Sequence, residues 1–251
     1  MHEVQIHDEK NLPSSFITLT YDPENLPNNG SLNKKHFQKF IKSLRKRTKQ
    51  KIRYYHCGEY GDALARPHYH AILFGYDFPD KEPFFEKKGQ ITYTSELLTK
   101  TWKKGHATIG TATIESAAYV ARYCMKKING DQAEHHYKRL NPATGELTDV
   151  IPEYATMSLK PAIGREWFEK YMDDIYPHGF AIGPNLKKMK PPKYYERLFK
   201  ELDPEAAEQL RKARLSKAKE QSANSTPERL ATRERVMEQK LDKLIRNLHD
   251  A

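Results

Sequence analysis

His68 and His70 flank a single tyrosine in the run Arg66-Pro67-His68-Tyr69-His70-Ala71-Ile72-Leu73-Phe74-Gly75. Aromatic and branched residues between a proline and a glycine read as a strand. Successive strand side chains point to opposite faces, so both imidazoles share one face and Tyr69 takes the other. Two imidazoles fixed on a rigid strand are a pre-aligned pair of metal ligands; alone, they serve equally well as surface histidines. Glu59 lies nine residues before His68, at the end of a second strand-like run from Lys51. The loop from Tyr60 to Arg66 suits an antiparallel hairpin, which sets Glu59 beside the histidines as a third ligand. Two nitrogens and a carboxylate leave coordination positions open and suit Mn²⁺ or Mg²⁺. Such a site can polarise a phosphoryl oxygen as a Lewis acid. Taken singly, Glu59 reads as a strand-end carboxylate paired with Arg or Lys.

A second cluster lies in Ser116-Ala117-Ala118-Tyr119-Val120-Ala121-Arg122-Tyr123-Cys124-Met125-Lys126-Lys127, which reads as a helix opened by Ser116. Tyr119 and Tyr123, four residues apart, present their hydroxyls on one face, and Lys126 and Lys127 supply cations where a phosphate needs them. Aromatic residues at this spacing more often fill a core. A tyrosine hydroxyl, with a pKa of about 10, attacks only an activated phosphorus or with a base to take its proton. The His–His–Glu cluster offers the first and a lysine the second.

The elements that must position these residues form a regular order. Ser15–Tyr21 is a β-rich run closed by a turn-like segment. A helix follows from about Asn33 to Lys49, with Phe37, Phe40, Ile41 and Leu44 on one face and Lys and Arg on the other. After the hairpin come a polar insertion over 76–90, a short helix capped by Ser95 and reaching Trp102, a strand over His106–Ile114, and the tyrosine helix. This order predicts an α+β fold with a central, mainly antiparallel sheet and helices largely on one face. We divide the chain into a core over 1–150, an aromatic-rich segment over 151–199 packed on that core, and a charged helical extension over 200–251. In the extension, Leu230, Met237, Leu241, Leu244 and Leu248 have heptad-like spacing, and a solvated helix packed on its own domain is preferred to a coiled coil.

Composition narrows the function class. A net charge of +10 favours a polyanionic partner, with nucleic acid first and anionic membrane second. Cys57 and Cys124 form no CxxC pair, which excludes a four-thiolate zinc site and argues against a disulfide scaffold. The polar N-terminus has no apolar signal core, and no window approaches a membrane span. A cytosolic setting is expected.

Taken together, these residues resemble the HUH endonuclease superfamily, and within it the replication initiators of microviruses, gokushovirus-like members in particular. Phe16-Ile17-Thr18-Leu19-Thr20-Tyr21-Asp22 sits where the first motif lies. Gly58-Glu59-Tyr60-Gly61 with Arg66-Pro67-His68-Tyr69-His70, and the Tyr119–Lys127 run, match the second and third. Tyr154–Pro161 and Pro191–Tyr195 resemble later segments, so the likeness covers roughly residues 15–199.

The resemblance implies an HUH fold with an RRM-like palm and a rolling-circle initiator. Such an enzyme nicks single-stranded DNA at the viral origin through a 5′-phosphotyrosine, and a second tyrosine rejoins the strand. It implies Glu59, His68 and His70 as metal ligands and Tyr119, Tyr123, Lys126 and Lys127 as catalytic residues. Expected DNA contacts are Lys35, Lys39, Lys42, Arg45, Arg66, Arg122 and Trp102: cations for phosphates, and an aromatic on which unpaired bases stack. It places the protein in the cytoplasm of an infected bacterium, away from membranes, with host replication proteins as further partners and the oligomeric state open. The rivals are a relaxase or HUH transposase, which shares metal and tyrosine, and a non-catalytic nucleic-acid-binding protein.

Overall fold

The computed structural model describes residues 1–61, 64–87, 89–113, 116–121, 127–140, 144–176, 178–183 and 188–243. Met1–Ile163 forms one compact unit and a second begins at Gly164. In the first unit α1 (His2–Glu9) precedes β1 (Ser15–Thr20), α2 (Lys34–Thr48), β2 (Arg53–Tyr60) and β3 (Pro67–Phe74). Then come β4 (Lys81–Lys87), β5 (Gln90–Ser95), α3 (Glu96–Trp102), β6 (Ala107–Thr111) and a helical stretch over 116–121, here α4. α5 (Asp131–His136), β7 (Lys138–Leu140), β8 (Leu147–Asp149) and β9 (Tyr154–Met157) complete the unit.

Seven strands form one sheet in the order β4-β5-β6-β1-β3-β2-β9, every pairing antiparallel. The expected α+β architecture with a mainly antiparallel sheet is therefore the observed one. Alternation along the strands divides it into two faces. On one face Ile17, Leu19, Tyr21, Tyr69, Ala71 and Leu73 pack with Phe37, Phe40, Ile41 and Leu44 of α2 and with Leu98 and Trp102 of α3. Asn33 caps α2 by accepting from Lys35 N–H at 3.0 Å, and Ser95 Oγ caps α3 by accepting from Leu98 N–H at 3.0 Å. On the other face Phe16, Cys57, Ile72 and Phe74 pack with Val4 of α1 and with Tyr119 and Val120 of α4.

Three expectations change. Helices cover both faces rather than largely one, because α1 and α4 close the second. α1 escaped notice because it is mostly polar: only Glu3, Val4 and Ile6 are buried, with Glu3 paired to Arg53 at 2.5 Å. The polar insertion over 76–90 contains β4, all of whose residues are exposed, so its sequence lacks the apolar alternation that marks a half-buried strand. The helix expected to reach Lys127 does not include that residue, which lies outside any helix.

The second unit contains α6 (Arg165–Ile175), the two-stranded β10 (Ala181–Ile182) and β11 (Lys188–Met189), α7 (Lys193–Leu202), α8 (Pro204–Glu220) and α9 (Pro227–Asp242). Its apolar contacts are aromatic: Trp167 stacks on Tyr195 at 5.7 Å and Tyr176 on Phe199 at 3.8 Å. α8 has no buried residue, and Leu230 and Met237 of α9 are exposed rather than packed as expected. Leu244 and Leu248 lie outside the described residues. No helix among the described residues is long and apolar enough to cross a membrane.

Candidate metal centre

The β2–β3 hairpin brings the three expected ligands together. Glu59 pairs with His68 across the ladder, and His70 lies between Cys57 of β2 and Thr18 of β1. The hairpin is closed by Gly61 N–H donating to Arg66 O at 3.0 Å. Glu59 Oε1 lies 3.1 Å from His68 Nε2 and 2.9 Å from His70 Nε2. The three ligand atoms lie within 4.8 Å of one another, so the cluster could hold a metal ion. Glu59 and His70 side chains are 2% and 3% exposed and His68 is 20% exposed, so the site is closed towards the sheet and opens past His68.

The surroundings hold these ligands in place. Burial opposes a charge on Glu59, yet the hydrogen bonds from His68 and His70 and their positive charge prevail and keep the carboxyl below its ordinary pKa. Thr18 Oγ1 lies 3.0 Å from His70 Nδ1 and leaves Nε2 turned to the cluster. The Phe16 ring stacks on His70 at 5.6 Å and 8°. A Cβ on Gly61 would sit 2.8 Å from His68 Cε1, so only glycine lets His68 keep its position. The donor set fits a divalent ion: two neutral nitrogens and one carboxylate oxygen, oriented by a second shell.

Tyr119 projects from α4 onto this cluster. Its ring meets His70 edge-on at 5.3 Å and Phe16 at 6.1 Å, and it is buried. Phe16 also lines a cavity of about 310 Å³ beside the cluster, together with Tyr93, Gly110, Thr111, Thr113 and Ser116. Tyr123, Lys126 and Arg122 lie outside the described residues. Lys127 is exposed beyond α4.

The expected DNA contacts divide. Arg66 sits at the triad end of β3, immediately before Pro67, and is half-buried. Lys35, Lys39 and Lys42 are exposed on α2, on the face of the sheet opposite the triad. Arg45 is engaged: its Nε and Nη2 donate to Ile52 O at 3.0 and 2.5 Å, and its guanidinium lies over Tyr54. Trp102 is no stacking platform, because its ring is buried in the core and its Nε1–H donates to Thr20 O at 3.0 Å. Phe16, Thr18 and Gly61 form the supporting shell. Residues 16 and 18 alternate onto the His70 face of β1, a signal present in the period-2 pattern.

Residues 14–128 match the family of replication-associated proteins of the ORF2 type, a stretch that includes β1, the hairpin, the triad and α4. The chain belongs to this family over those residues. It is 33% identical to replication-associated protein VP4 of Bdellovibrio phage phiMH2K over 214 residues, 81% of this chain and 62% of that one. It is 36% identical to replication-associated protein ORF2 of Spiroplasma virus 4 over 194 residues, 72% of this chain and 56% of that one. Replication-associated protein ORF4 of Chlamydia phage 1 is 35% identical over 134 residues, 50% of this chain and 32% of that one. The chain thus spans 62% and 56% of the lengths of the first two relatives. No solved structure matches it.

Proposed function

We propose that this member of the replication-associated family is an HUH-type initiator of rolling-circle replication. It nicks one strand of phage DNA at the origin, with Glu59, His68 and His70 holding Mn²⁺ or Mg²⁺. The observation that carries the reading is the edge-on contact of Tyr119 with His70, a candidate nucleophile against a candidate metal ligand. The family relatives, named as replication-associated proteins of phages, support the substrate class.

When bound, the metal draws charge from a non-bridging phosphate oxygen and makes the phosphorus more electrophilic. The chain does the rest. Thr18 and Phe16 fix His70, and burial of Tyr119, Phe16 and Glu59 keeps water from the inner side of the cluster. A tyrosine oxygen, from Tyr119 or Tyr123, attacks the phosphorus, and the bond to the 3′ oxygen breaks. The tyrosine proton passes, with Lys126 or Lys127 as carrier, to the departing oxygen, which leaves as a free 3′-OH able to prime a polymerase. A 5′-phosphotyrosine remains. One phosphodiester has been exchanged for another, so no ATP is consumed. The second tyrosine repeats the exchange at the regenerated origin, and the first link is then resolved by the new 3′-OH to circularise the strand. The setting is the cytoplasm of the infected host.

The test is incubation with Mn²⁺ and single-stranded fragments tiling the phage genome. A covalent adduct that survives detergent is expected with the parent, and it disappears with a chelator and in the Tyr119→Phe/Tyr123→Phe variant. No adduct with any fragment, or an undiminished adduct in the double variant, overturns the reading.

A further inference from the structure

α2 carries a row of cations that the nicking face does not use. Its sequence, Lys34–Thr48, contains no acidic residue. Lys35, Lys39, Lys42 and Lys46 follow one another at steps of four, three and four residues. On an α-helix this spacing places them within roughly 60° of one another, on a line about 16 Å long. The buried residues Phe37, Phe40, Ile41 and Leu44 lie on the opposite side of the helix, against the sheet. All four lysines are exposed, and none has an ion-pair partner among the described residues. Burial, and then the charges of Lys104 and Lys39, lower the pKa of His36, so Lys104 beyond α3 flanks the row and extends it.

We propose that this row is a second nucleic-acid surface, one that binds the phosphate backbone of duplex DNA on the side of the sheet away from the metal cluster. Three features select a duplex. Single strands are held by aromatic platforms between cations, and the aromatics of α2 face the core instead. A straight, rigid line of point charges matches a polyanion whose phosphates are held outside at regular intervals. The ammonium groups carry no planar fork for reading bases, so the contact is indifferent to sequence. Lys35, Lys39 and Lys42 are thus reassigned from the nicked strand to the parental duplex, and Arg45, tied to Ile52, is excluded from both. The inference rests on the nicking proposal only for its purpose, which is to hold the duplex while the opposite face works on the unpaired strand.

The test compares the full-length parent with two quadruple variants at Lys35, Lys39, Lys42 and Lys46, one with all four changed to Gln and one with all four changed to Arg. Fluorescence anisotropy measures binding to a blunt duplex of arbitrary sequence across a salt series. Parallel arms measure binding to a single-stranded oligonucleotide, to anionic phospholipid vesicles and, for the parent, the covalent adduct. The Gln variant is expected to lose duplex affinity at least about tenfold, with the slope of log K against log salt falling by about 3 to 4. The Arg variant keeps both, and single-strand binding stays at the parental level in each. Unchanged duplex binding by the Gln variant overturns the proposal, as does an equal loss of single-strand binding or an affinity for vesicles without one for duplex. Absence of the adduct in the parent sinks the nicking proposal instead and leaves the duplex result standing.

Discussion

The Thr18 hydroxyl lies 3.0 Å from Nδ1 of His70, on the side of the ring away from Glu59. A metal-binding imidazole is usually oriented through its second nitrogen, and loss of such a partner costs on the order of 10–100-fold in metal affinity. Thr18→Val should therefore weaken Mn²⁺ binding by that factor in calorimetry, while Thr18→Ser restores it. Equal affinities in parent and Thr18→Val would show that the hydroxyl orients nothing.

Gly61→Ala tests the other histidine. The new methyl group would stand 2.8 Å from His68 Cε1, and the partly exposed ring can escape only by swinging out of the cluster. Metal affinity should fall on the order of tenfold. Because the ring moves rather than the backbone, the melting temperature should stay near the parental value. A large fall in melting temperature with metal affinity intact would point to a backbone role for Gly61 instead.

Tyr119 has two jobs that separate by substitution. Its ring fills the layer with Phe16, Val120 and Ile72, so Tyr119→Ala should destabilise by about 3–5 kcal/mol in urea unfolding. Tyr119→Phe keeps the ring and should cost about 1 kcal/mol or less. Any loss of adduct in the phenylalanine variant then reports chemistry rather than folding. A destabilisation as large as that of alanine would mean that the hydroxyl itself holds the layer together.

His56 gives the fold a defined pH response. It is buried, stacked on Phe37 at 3.5 Å and bonded to Thr156 at 2.8 Å through Nδ1. Burial, followed by the charge of His70, lowers its pKa from 6.5 to about 3. Between those values the unfolded chain binds a proton that the folded chain does not, so stability falls as pH falls through this window. The contribution is full above pH 6.5, and its loss approaches on the order of 4 kcal/mol near pH 3. Urea unfolding at several pH values should show a steeper decline for the parent than for His56→Gln. Parallel declines would refute the assignment.

Much of the site was legible because it is local. The period of two in β3 put His68 and His70 on one face, and the short hairpin loop put Glu59 opposite His68, as the register shows. The core helix was equally plain, since Phe37, Phe40, Ile41 and Leu44 all sit where a period of 3.6 puts them. What composition could not give was which face each helix covers. Charge on α2 looked like an extension of the catalytic surface, but a sheet separates the two. Trp102 shows the same limit: an aromatic beside two lysines suits a stacked base, yet a hydrogen bond to Thr20 and burial make it core. β4 stayed hidden because an exposed hairpin needs no alternation to be stable beside β5.

Tyr69, between the two histidines, ties the metal strand to the opposite layer. Its hydroxyl donates to Asn33 O at 2.9 Å, accepts from Asn33 N–H at 2.9 Å and meets the Tyr21 hydroxyl at 2.8 Å. A hydroxyl has one proton, so Tyr21 must donate to Tyr69 and His36 Nδ1, 2.7 Å away, must donate to Tyr21. A slip of one residue in β3 would turn Tyr69 to the metal side and both histidines into the core. Misthreaded molecules therefore forfeit the ion and the hydroxyl chain together. Tight manganese binding by a preparation is accordingly an assay of correctly threaded protein, and the titrated stoichiometry counts the fraction that folded true.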